Sequence, residues 1–160
     1  MEIRSLGADM DDATRTAVLA QFTALYEHMG RLGLSTPLVA DGASLWLGSV
    51  APMLGRLTFV LVAEEDEQQL GFVAGTIRST PPHLGSERMG MLTHIHVAGE
   101  ARGRGLGERL VQALRAAFAE RGVVRMETDA LSGNTQAQRF FEKQGFVADH
   151  VVYRLDAERS

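Results

Sequence analysis

Apolar positions change their spacing several times along the chain. Val18, Leu19, Phe22, Leu25, Tyr26 and Met29 recur every three or four residues, the period of a helix with one buried face. Ahead of them, Ile3 to Leu6 reads as a short strand. Asp9 is expected to cap the helix, with Asp11 and Asp12 in its positive first turn and Gly30 at its C-terminus. After a loop over residues 30–40 containing Pro37, Asp41 opens a second helix carrying Leu45, Trp46, Val50 and Met53, and Pro52 blurs its end. From Leu57 to Ala63 the pattern becomes a continuous apolar and β-branched run, which fits a buried strand. Glu64 to Glu67 is a solvated turn, Leu70 to Ile77 the return strand of a hairpin, Thr80 to Gly85 a loop, and Met89 to Val97 a third long strand. Helical spacing returns with Leu106, Leu110, Val111, Leu114, Ala117 and Phe118, and Gly122 closes that helix. Val123 to Ala130 reads as a strand. A further helix starts at Asn134, turns Ala137, Phe140 and Phe141 inward and ends at Gly145. Phe146 to Leu155 reads as a final strand. The predicted order is β-α-α-β-β-β-α-β-α-β without repeats or linkers. It describes one α/β domain over residues 1–160, a mixed central sheet flanked by helices on both faces.

Composition narrows the chemistry. The chain has 160 residues, 45% of them hydrophobic and 22% charged, enough for a sizeable core without staples. It has no cysteine, so disulfides, thiolate–metal sites and a cysteine nucleophile are excluded, and a reducing compartment fits. A net charge of −4 gives no reason to expect nucleic acid or an anionic membrane as a partner. The N-terminal residues do not form a secretory signal, and no apolar run approaches the roughly 20 residues of a membrane span. A cytoplasmic protein is expected.

The most informative segment is the strand ending at Val97 followed by Arg102-Gly103-Arg104-Gly105-Leu106-Gly107 and a helix. Glycines at a strand-to-helix turn let several backbone N–H groups converge on one anion, and the helix N-terminus adds about half a positive charge. Arg102 and Arg104 add charge-assisted donors, which suits a diphosphate. The same glycines also suit a turn needed only for tight packing. The alternating spacing is not that of a dinucleotide fingerprint, and no Gly-Lys-Ser/Thr of a Walker loop is present.

Residues Val97 to Gly107 resemble the acetyl-CoA signature of the GNAT N-acetyltransferases, Arg/Gln-x-x-Gly-x-Gly/Ala, with Arg102, Gly105 and Gly107 in its fixed places. Asn134, Ala137 and the run Phe141-Glu142-Lys143-Gln144-Gly145-Phe146 are similar to a second motif of that family, in the expected order. The resemblance implies an enzyme that moves an acetyl group from acetyl-CoA to an amine of a small molecule or peptide, with no metal. It implies that backbone groups of Ile95, His96 and Val97 pair with the pantetheine arm and that the Val97 N–H faces the thioester carbonyl. Backbone N–H groups from Arg102 through Gly103, Arg104, Gly105 and Leu106 to Gly107 would hold the pyrophosphate. Asn134 would contact the cofactor, Phe140 and Phe141 would wall its pantetheine, and Lys143 is either a phosphate contact or a solvated helix lysine. Tyr26 and Trp46 fall in the helices where the family builds its acceptor pocket. Dimerisation is common in the family, so a homodimer is compatible with the resemblance.

Two positions depart from the family. Its usual glutamate lies six residues before the position of Val97, where this chain has Met91, and its usual tyrosine acid is replaced by Phe141. His94 and His96 are the nearest groups able to act as a base near neutral pH. Two apart on a strand, they should share a face opposite Ile95 and Val97. Packed, hydrogen-bonded strand histidines would look the same in sequence. Glu87, Thr93, Glu127 and Asp129 are further polar candidates. The missing glutamate and tyrosine also keep open a second function, an acetyl-CoA-binding sensor or interaction module with little or no transferase activity.

Overall fold

The computed structural model describes residues 1–157. Strands β1 (Glu2–Ser5), β2 (Thr58–Glu65), β3 (Gln68–Ser79), β4 (Arg88–Val97) and β5 (Met126–Thr128) form one sheet in the order β1-β2-β3-β4-β5. β1 through β4 pair antiparallel, and β5 joins β4 in parallel, so the sheet is mixed. The β2–β3 hairpin turns at Asp66 and Glu67, both at positive φ (50° and 64°), as a tight two-residue hairpin turn requires.

Alternation along the strands sorts the core into two layers. Val60, Val62, Phe72 and Ala74 face α1 (Asp12–Arg31) and α2 (Gly42–Val50), packing with Val18, Phe22 and Ala43. Leu61, Ala63, Val73 and Leu92 face the other way, onto Leu106, Leu110, Leu114 and Phe118 of α3 (Leu106–Ala119) and Phe141 of α4 (Thr135–Lys143). Each strand residue thus serves one layer, the arithmetic of a period of two between helical layers.

Several boundaries differ from the sequence reading. Asp11, not Asp9, caps α1: its Oδ1 accepts from the Thr14 N–H at 2.8 Å, while the turn closed by Met10 N–H on the Gly7 carbonyl takes up Asp9. Gly30 lies inside α1, and Gly33, at φ 97°, is the left-handed residue beyond its end. Leu45 is exposed instead of buried. The strand expected over Val123 to Ala130 shrinks to Met126–Thr128, because Val123 folds back to bond the Phe118 carbonyl behind α3.

The final strand expected over Phe146 to Leu155 does not form. Residues 146–157 have no regular structure, and Val147, Val151, Val152, Tyr153 and Leu155 are exposed. The outer strand β5 is three residues long and offers a strand of that length little to pair with. Among the described residues no helix is long and apolar enough to cross a membrane.

Candidate active site

The site is built where β4 and β5 part. Their pairing covers only Gly90 to Leu92 against Met126 to Thr128, and β4 then runs on to Val97 without a neighbour on that side. On the other side the ladder to β3 continues, with a bulge at Thr93 that lets His94 pair with Ala74 and Leu92 with Gly75. Beyond the bulge, Ala98 N–H bonds Leu70 O. Antiparallel ladders alternate bonded and non-bonded pairs. His96 therefore spends its backbone groups on β3, whereas Ile95 and Val97 turn theirs to the open edge. The sequence expectation for Ile95 and Val97 is compatible with this geometry; the backbone of His96 is turned away.

The glycine loop follows directly. Gly103 and Gly105 have φ of 78° and 74°, a left-handed conformation that favours glycine, and a Cβ on either would meet nothing within 4 Å. α3 begins at Leu106, and the first backbone N–H of this region to find an acceptor is Arg109, on Gly105 O at 3.2 Å. Among the described residues the N–H groups of Gly103 through Glu108 have no protein acceptor. Open space above two left-handed glycines, with successive free N–H groups at a helix start, matches the needs of a diphosphate. Gly107 serves a different end. It lies inside α3, and a Cβ there would sit 3.2 Å from the ring of Phe140, so its small size packs α3 against α4.

The arginines are engaged within the protein. Arg104 ties the loop to β2 through Glu65 at 3.0 Å, and that hydrogen bond holds the Glu65 carboxyl below its ordinary range. Arg102 donates from Nε to Val97 O at 3.2 Å. Asn134 caps α4 by accepting from the Ala137 N–H at 3.0 Å, which leaves its amide nitrogen and one lone pair of Oδ1 for a ligand. Phe140 is half-buried against Gly107, Phe141 is buried in the core beside Phe146, and Lys143 is exposed in the last turn of α4.

His94 and His96 share the sheet face that carries α1 and α2, opposite Ile95 and Val97. The ring of His94 packs 4.8 Å from Phe22, 5.9 Å from Tyr26 and 5.5 Å from Trp46. This burial pushes its pKa down to about 4. Tyr26 Oη lies 3.2 Å from Nε2, and Thr93 Oγ1 lies 3.0 Å from Nδ1. His96 is also shifted down, by burial and then by Arg102 and His28. His28 is lowered for the same reasons, burial first and then Arg102 and Arg31. Burial alone disfavours any charge here; it is the Arg102 and Arg31 contributions to these shifts that are of a sign that favours an anion. Glu127 on β5 is in register with Met91, and Arg125 holds its carboxylate at 3.1 Å. The contact of Tyr26 with His94 had no signal in the sequence, since the two are 68 positions apart. No group of three or more metal-ligating side chains gathers among the described residues.

Comparison with known proteins agrees with the fold. The whole fold matches a structure described as a probable acetyltransferase, with 24% identity, a TM-score of 0.73 and full coverage of both chains. It also matches the aminoglycoside 6′-N-acetyltransferase of Acinetobacter haemolyticus, at 18% identity and TM-score 0.73, again over all of both chains. A third match is an aminoglycoside acetyltransferase from an uncultured soil metagenomic sample, in complex with sisomicin. It is 16% identical with a TM-score of 0.72, covering 99% of this chain and 96% of that one. Comparison with curated protein sequences finds no match. The family model for GNAT acetyltransferases matches residues 43–146, from the start of α2 past the glycine loop to the end of the second motif. A family model matched over most of the sequence, on a fold shared with these structures, places this chain in the acetyltransferase (GNAT) family.

Proposed function

We propose that the protein transfers an acetyl group from acetyl-CoA to an amine of a small molecule or peptide by direct attack. The observation that carries this is the run of free N–H groups from Gly103 to Glu108, lying just beyond the open backbone of Ile95 and Val97. In this reading the loop grips the pyrophosphate, the β4 edge aligns the pantetheine arm, and the Val97 N–H polarises the carbonyl. Acetyl-CoA supplies the acyl group as an activated thioester. Aminoglycoside acetyltransferases among the structural matches support a small-molecule amine as acceptor.

The histidines fix when the proton leaves. An unperturbed alkyl ammonium has a pKa of about 10.4, and with His94 near 4 the transfer would be uphill by about 9 kcal/mol. His94 therefore does not deprotonate a free ammonium. The amine enters neutral, and His94 or His96 takes the proton only after the new bond has made the nitrogen acidic.

Gly105→Val tests the cofactor site. It should abolish the thermal stabilisation that CoA gives to the wild type while leaving a folded protein; a wild type unmoved by millimolar CoA would remove the proposal. One observation favours a second reading, an acetyl-CoA-binding sensor: Met91 is apolar and Phe141 is buried at 8% exposure, so neither can move a proton. Amine-dependent turnover separates the two.

A further inference from the structure

The hydrogen bonds around His94 have a direction. Thr93 Oγ1 donates its one proton to Ala74 O at 3.2 Å, so toward His94 Nδ1 the hydroxyl can only accept. The inventory of donors then assigns the ring proton to Nδ1 and leaves Nε2 as a bare lone pair. Tyr26 Oη, 3.2 Å from Nε2, must be the donor to it. Tyr26 has thereby committed its only proton inward, and its free lone pairs face the other way.

Tyr26 is half-buried, and the Asp129 carboxylate, just past β5, is the charged group felt by this phenol. The charged and titratable groups that act on these side chains are Asp129 on Tyr26, Arg102 on His96 and His28, Arg31 on His28, and His28 on His96; α2 contributes Trp46, which is uncharged and packs on His94. A phenol in this state can accept an N–H hydrogen bond from an amine. It cannot donate to the nitrogen and so cannot block the lone pair that must attack.

We infer that Tyr26 is the catalytic residue facing the acceptor amine, held in its accepting state by His94 and Thr93 as positioning residues. This rests on the transferase reading above. The nitrogen forms its bond to the acyl carbon, and the carbon–sulfur bond breaks. The proton shed by nitrogen passes to Tyr26 Oη as the Oη proton moves to His94 Nε2. The buried imidazolium is a strong acid and returns a proton through Tyr26 to the thiolate or to water, which restores the starting state with nothing left over. The device needs neither a carboxylate at Met91 nor a hydroxyl at Phe141.

The test combines a readout on the free protein with kinetics. Nitrogen NMR of His94 should show the proton on Nδ1 in the wild type and in Thr93→Ser, and a mixture of tautomers in Thr93→Val. With a primary amine acceptor, Tyr26→Phe should lower kcat/KM by roughly tenfold or more. Thr93→Val should fall between it and wild type, and Thr93→Ser should stay within about twofold of wild type. All three should keep the KM for acetyl-CoA and the stabilisation by CoA, which shows that they fold. A proton on Nε2 in the wild type, or a Tyr26→Phe enzyme as fast as an active wild type, overturns this inference and leaves the transferase reading standing. A wild type that releases no thiol with any amine removes both.

Discussion

Gly107 and Phe140 are in contact so close that a methyl group on the glycine would lie 3.2 Å from the ring carbons. Gly105, two residues earlier, has open space where its Cβ would be. The two fixed glycines of the motif therefore do different work, and substitution should separate them. Gly107→Ala asks the half-buried Phe140 ring to give by a few tenths of an ångström, which the better helix propensity of alanine offsets, so stability is expected to change by less than about 1 kcal/mol. Gly105→Ala is expected to cost about 1–2 kcal/mol through its left-handed backbone. Denaturant unfolding with and without CoA checks this: Gly105→Val loses the CoA effect altogether, whereas Gly107→Ala stays close to wild type and still responds to CoA.

Burial of His94 predicts a loss of stability in acid. Its folded pKa of about 4 lies below the ordinary value of 6.5, so between those values the unfolded chain binds the extra proton. Stability is complete above about pH 6.5 and falls as the pH drops toward 4, by at most about 3 kcal/mol from this group. His94→Gln should flatten that part of the profile. Unfolding free energies at pH 7 and pH 4.5 for both proteins decide it, and equal slopes would refute the assignment.

Binding of CoA should take up protons. His28 and His96 are held down by burial and by Arg102. A pyrophosphate beside Arg102 offsets that positive charge and raises both pKa values. Calorimetry near pH 6, in two buffers of different ionisation enthalpy, should show uptake; proton release would place the anion elsewhere.

Phe141→Tyr should not restore an acid. Phe141 is 8% exposed, and its ring meets Phe146 edge-on at 5.5 Å between centroids. Adding a hydroxyl at this buried ring should cost about 1–3 kcal/mol where it finds no hydrogen-bond partner, with kcat changed less than about tenfold. A hundredfold gain in CoA release would show that protonation of the leaving group limits the wild type.

Much of the layout was legible because its signals are local. The parity of His94 and His96 against Ile95 and Val97 follows from strand alternation, and it survives because the bulge at Thr93 lies before all four residues. The glycine loop's place between a strand and a helix was legible in the pattern, whereas spacing alone left a packing turn as an open reading and the cofactor role came from the resemblance. Caps were harder: Asp9, Asp11 and Asp12 all carry the right chemistry, and only the turn at Gly7 to Met10 decides among them. The alternation of Val151, Tyr153 and Leu155 reads as a strand, yet pattern cannot supply the partner edge, and β5 is too short to be one. The link from Tyr26 through His94 to Thr93 depends on α1 crossing the sheet at that place, a tertiary fact with no local trace.

The most direct measurement is thiol release from acetyl-CoA by the purified wild-type protein, with and without a panel of primary amines including an aminoglycoside. Mass spectrometry of the amine accompanies it. The account predicts release that depends on the amine and saturates with it, matched mole for mole by the acetylated product. A protein that is stabilised by CoA yet releases no thiol beyond the amine-free background with any amine would contradict it.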